Sequence, residues 1–143
     1  MLQTEDAALA LAIDRLEWAL GTPLDAGAWC DRVGRSLAHV RAALDRHAAE
    51  VESPEGLFAR VTEHGFLPFT APARQVTALW QDHRNLRAAV AGLRALLGGE
   101  ARRPNSPRAG VRLHEVWKLG RELAAALRAH VEAEQCLCGD AED

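Results

Sequence analysis

The stretch LDRHAAEVESPEGLF, residues 44–58, decides how the chain folds. As far as Glu52 it keeps helical spacing, with Leu44, His47 and Val51 on one face. Ser53, Pro54 and Gly56 then break the pattern. A histidine therefore stands where an apolar residue is expected, just before a helix end, and Glu50 follows it at helical spacing.

Upstream, the same face continues through Trp29, Val33, Leu37 and Val40, which predicts a helix from near Asp25 to about Glu52. Gly34 weakens this helix without breaking it. An earlier helix begins near Thr4, a capping residue, with Glu5 and Asp6 in its first turn. It carries Leu9, Ile13, Leu16 and Leu20, and Gly21 and Pro23 stop it. Beyond the break, Leu57, Phe58 and Val61 predict one short amphipathic helix. The third long segment follows Pro72 with the stripe Val76, Leu79, His83, Leu86, Val90, Leu93 and Leu97, ending at Gly98 and Gly99. The fourth runs from about Gly110 to Leu137, with Val116, Leu119, Leu123, Ala126, Leu127, His130, Val131 and Glu134 on its stripe. No segment alternates with the period of two that a strand requires. The expected fold is all-α: an antiparallel up-down-up-down four-helix bundle, with a short extra helix between the second and third long helices. Residues 1–143 are expected to form a single domain.

Composition agrees. The chain has 143 residues, 48% of them apolar and 26% charged, and it lacks tyrosine. Abundant alanine, leucine and arginine favour helix. A net charge of −3 argues against a general nucleic-acid binder. The basic run ARRPNSPR, residues 101–108, reads as a solvated loop, with phosphate binding as the lesser use. No stretch is long and apolar enough to span a membrane, and the N-terminus carries acids where a signal peptide carries bases. The expected location is cytoplasmic. Cys30, Cys136 and Cys138 are too few and too closely paired for a disulfide framework. No phosphate loop, nucleophile elbow or paired-cysteine zinc motif is present. Trp18, Trp29, Trp80 and Trp117 are expected to pack in the core or along helix edges.

The histidines carry the functional signal. His47, His83 and His130 each replace an apolar residue on a core stripe, and they lie on three different helices. At 1.5 Å per residue in an antiparallel bundle, the three fall within roughly 10 Å along its axis. Glu50 follows His47 by three residues and Glu134 follows His130 by four, so each leans to the same side as its histidine. Histidine and glutamate projecting inward from facing helices are how bundle metal sites are built, and the donor types suit iron, manganese or zinc. His47, Glu50, His83, His130 and Glu134 are the candidate metal ligands. His64 is expected in a solvated loop, His39 at a helix boundary and His114 off the stripe at the far end. The competing account is structural: ion-pair networks also gather such residues.

These residues carry a family resemblance. LDRHAAEVE with His47, LWQDHRNL with Asp82 and His83, and LRAHVEAE with His130 and Glu134 stand in the order and helix placement of the hemerythrin-like, histidine–histidine–glutamate cation-binding family. The resemblance covers about residues 25–138. It implies an antiparallel four-helix bundle, often with two irons bridged by oxygen species, that binds dioxygen, senses oxygen or redox state, or stores iron. The chain departs from the pattern in three places. Its first helix has no histidine, and Leu9 and Ala10 stand at that height. Glu50 comes at the third position after His47, where the family has its acid at the fourth, here Val51. Asp82 replaces the commoner glutamate.

Two classes of function stay open. One is a non-haem metal module, holding iron (a di-iron pair or a single ion) or zinc, with dioxygen as a partner. The other is a metal-free interaction or regulatory bundle that kept the fold. Bound iron would not by itself make either an enzyme.

Overall fold

The computed structural model describes residues 4–63, 71–98 and 109–142. Among these residues five helices follow one another: α1 (Thr4–Gly21), α2 (Ala26–Glu52), the short α3 (Leu57–Glu63), α4 (Ala71–Gly98) and α5 (Ala109–Glu142). Among the described residues there is no strand. The long helices form a ring in which α1 packs on α2, α2 on α4, α4 on α5 and α5 on α1. The antiparallel four-helix bundle is therefore the observed fold, and α3 joins the end of α2.

Local chemistry sets the boundaries. Asp25 caps α2, its carboxylate accepting from the Ala28 N–H at 2.9 Å. Pro72 sits in the first turn of α4, where its missing N–H costs nothing. At the other end of α2, the Ser53 hydroxyl donates to the Glu50 carbonyl at 2.8 Å. The chain then turns back so closely that a Cβ on Gly56 would lie 2.2 Å from the Glu50 carbonyl oxygen. Only glycine allows that approach, and it lays α3 against the end of α2. Helix α5 continues past Leu137 to Glu142, because Gly139 alone does not stop a helix that has no other breaker nearby.

The predicted stripes are the core. Leu9, Ile13, Leu16, Leu37, Leu44, Val90, Val116 and Leu127 are fully buried in one large cluster. A smaller cluster of Val51, Leu57, Phe58, Val61, Leu79 and Leu137 lies at the other end. Each buried leucine or valine contributes ~1.5–3 kcal/mol. Two expectations need correction. Ala126 is exposed and Ala124 is buried in its place, because α5 is rotated slightly from the assumed face. Trp29 is half-buried, its indole N–H donating to the Leu20 carbonyl at 3.3 Å, but Trp18, Trp80 and Trp117 are exposed. Trp80 and Trp117 each come one residue after a buried position, and helical period turns them outward beneath Arg84 and Arg121. Trp18 lies likewise under Arg32. The side chains of Thr4 and Cys138, as well as His64 and the loop 101–108, lie outside the described residues.

Candidate metal centre

Among the described residues, four ionisable side chains are buried between the two apolar clusters. His47 is 2% exposed, His83 0%, His130 2% and Glu134 5%. Each occupies a stripe position that elsewhere on its helix is apolar, so the packing that buries the leucines also buries these groups. Helix α2 brings His47, α4 brings His83, and α5 brings both His130 and Glu134 from successive turns of one face. One potential ligand atom from each lies within 4.8 Å of all the others.

The histidines share one arrangement. Every Nδ1 faces a carboxylate on the outer side of its ring: Asp6 at 2.7 Å from His47, Glu52 at 3.0 Å from His83 and Asp82 at 3.4 Å from His130. Every Nε2 faces Glu134. His83 Nε2 is 2.9 Å and His130 Nε2 2.5 Å from Oε1, and His47 Nε2 contacts Oε2. When an Nδ1–H donates to a carboxylate, the tautomer is fixed and the Nε2 lone pair is left free. Three such lone pairs and a carboxylate then converge on one small volume. Electron pairs facing one another need positive charge between them, as protons or as a metal ion.

The hydrogen-bond geometry is compatible with either. His47 Nε2 and His130 Nε2 are buried without a properly directed hydrogen bond, although a Glu134 oxygen lies beside each. Without a cation, protons must serve. Burial alone would lower the pKa of His47, but the neighbouring carboxylates of Asp6 and Glu134 outweigh this and raise it from 6.5 to about 9. Burial alone would raise the pKa of Glu134, but His130, His47 and His83 together hold it well below the usual carboxylate range. The metal-free centre is thus a buried carboxylate paired with a His47 imidazolium.

Phe58 of α3 stacks over His83, with ring centroids 5.8 Å apart and an interplanar angle of 21°. The short helix thereby covers the layer from above, while Val40, Leu44 and Leu127 of the large cluster lie below.

Four of the five candidate ligands come together: His47, His83, His130 and Glu134. Glu50 is not in this group. It is half-buried at the end of α2, where its backbone carbonyl receives Ser53. Glu52, two residues further on, reaches the centre instead, through His83. His114 is exposed and stacked on Trp117, and His39 is also exposed. Sequence reasoning missed the outer roles of Asp6 and Glu52. Asp6 did have a signal, for it extends the stripe of Leu9, Ile13 and Leu16 one step toward the N-terminus. Three nitrogens and a carboxylate suit zinc, iron or another transition metal and do not suit magnesium or calcium, which prefer oxygen alone. Comparison with family models, curated proteins and solved structures finds no match to this chain.

Proposed function

We propose that the chain is a hemerythrin-like helical bundle that binds one transition-metal ion. His47, His83 and His130 supply Nε2 and Glu134 supplies its carboxylate. The observation that carries this reading is the pairing of every Nδ1 with its own carboxylate while every Nε2 turns inward. Histidine ligands need such partners to fix the tautomer and raise ligand basicity. Asp6, Glu52 and Asp82 are occupied on the outer side of the rings, which favours a single ion over a di-iron pair. Iron is the metal that the family resemblance favours, and dioxygen binding, redox sensing or iron handling is the use it attaches to such a centre. Zinc would satisfy the same donors as a closed structural site.

The test is metal content of the purified protein, followed by anaerobic titration with ferrous iron and with zinc. One equivalent of either, bound at His47, His83, His130 and Glu134, supports the reading. An ultraviolet-visible change when the iron form meets air assigns oxygen or redox chemistry to it. A second reading keeps the bundle metal-free and the centre an internal ion pair, supported by the well-formed 2.9 Å bond between His83 Nε2 and Glu134. Failure to bind either metal selects that reading.

A further inference from the structure

Below the histidine level, the surface between α4 and α5 opens into a cleft of about 520 Å³. Leu86, Leu93 and Leu96 form one wall, and Leu119 and Leu123 form the other. Small residues give it depth: Ala89 and Gly92 on α4, and Ala126 on α5. Gly92 stands in the interior of α4, where glycine weakens a helix. No close neighbour requires it there, since an added Cβ would meet nothing within 4 Å. The missing side chain is simply space that belongs to the cleft.

The shape is that of a trough. From Asp82 at the upper end to Leu96 at the lower, the run of α4 is roughly 21 Å at 1.5 Å per residue. Among the described residues, the charged groups that line it, Asp82 and Glu122, are both acids. The Asp82 side chain is 52% exposed and therefore open to a partner beyond His130. Length and apolar walls suit a chain better than a ring, and a lining whose charges are all negative suits a cation.

We propose that this cleft binds a straight-chain alkylammonium, with the hydrocarbon along the leucines and the cationic head at Asp82. The head group would share Asp82 with His130, whose Nδ1 lies 3.4 Å from the same carboxylate, so the titrations use the metal-free chain. The full chain is to be titrated with decylammonium, decanol and decanoate, below their aggregation concentrations, by calorimetry and tryptophan fluorescence. Decylammonium should bind saturably and one to one, about tenfold or more tighter than decanoate, because a charged hydrogen bond separates them. Asp82→Asn should bring decylammonium down to the affinity of decanol and leave decanol unchanged. Gly92→Leu fills the trough and should weaken decylammonium by about tenfold or more. Ala126→Leu fills it from the opposite wall and should do the same, which keeps the test sound if one of these variants fails to fold. Absence of saturable decylammonium binding overturns the proposal. So does decanoate binding as tightly, or undiminished binding in a folded Gly92→Leu or Ala126→Leu protein.

Discussion

Glu52 accepts a hydrogen bond from His83 at 3.0 Å across two helices, thirty-one residues apart in sequence. The bond ties the last turn of α2 to the middle of α4 and orients the His83 ring, so that its other nitrogen faces Glu134 at 2.9 Å. Asp6 does the same for His47 from the first turn of α1.

Removing these outer carboxylates should loosen the centre while sparing the fold. Their side chains are only partly buried, at 25% exposed for Glu52 and 28% for Asp6. Glu52→Gln or Asp6→Asn is expected to lower metal affinity by about 10–100-fold. Competition against a chromophoric chelator measures this, and circular dichroism should show unchanged helicity. Affinity equal to wild type in both variants would remove the outer carboxylates from the account.

The inner ligands should be less forgiving. His130→Ala deletes a buried nitrogen and is expected to abolish stoichiometric binding of zinc or ferrous iron. His114→Ala should bind like the wild type, because that ring is exposed and stacks only on Trp117. Calorimetric titration of the two variants side by side decides it, and equal losses would point to a general effect on folding.

Metal and protons should compete at His47. Its pKa of about 9 leaves it protonated at neutral pH in the metal-free protein. A ligand must be neutral, so binding should release about one proton near pH 7.5, and affinity should climb until pH passes 9. Calorimetry in buffers of different ionisation enthalpy counts that proton, and a count of zero contradicts the imidazolium.

The same pair sets the stability of the metal-free form. His47 has a raised folded pKa, so its contribution is complete below 6.5 and fades as pH rises through about 9. Glu134 has a depressed one, so its contribution is complete above 4.5 and fades only in strong acid. Thermal melting of the metal-free chain should therefore peak between about pH 4.5 and 6.5 and decline toward pH 9.

Gly56→Ala tests the lid. The new Cβ would meet the Glu50 and Val51 carbonyls, so α3 must move away from α2. A loss of ~1–3 kcal/mol is expected from chemical denaturation, together with faster release of bound metal as Phe58 leaves His83. Unchanged stability would mean that the turn relaxes without disturbing α3.

The helices and the three inward histidines were legible in the sequence, because burial in a bundle repeats with the helix turn. Leu79, His83, Leu86 and Val90 announce one face whatever lies opposite. The partners of those histidines were not legible in the same way. Which carboxylate meets which Nδ1 depends on the relative height and rotation of two helices, and spacing within one helix does not encode either. Glu50 has the right spacing from His47, yet Glu52 is the residue that faces α4. The rotation of α5 is likewise set by its neighbours, which is why Ala124 took the buried place expected of Ala126. The three exposed tryptophans were readable from period alone, but size weighed more than position in the expectation.

Among the described residues, the histidine layer divides the apolar interior unequally, with a broad cluster on one side and six buried residues on the other. Cooperative opening therefore has a preferred end. Lifting α3 and the last turn of α2 exposes little hydrocarbon, whereas parting α1 from the middle of α2 exposes much more. Amide protons of Leu57–Glu63 should exchange well before those around Val33–Leu44, and a chelator should reach the centre at the rate of that smaller event. Exchange of a bound ion would then proceed by fraying of one end, with the rest of the bundle still folded.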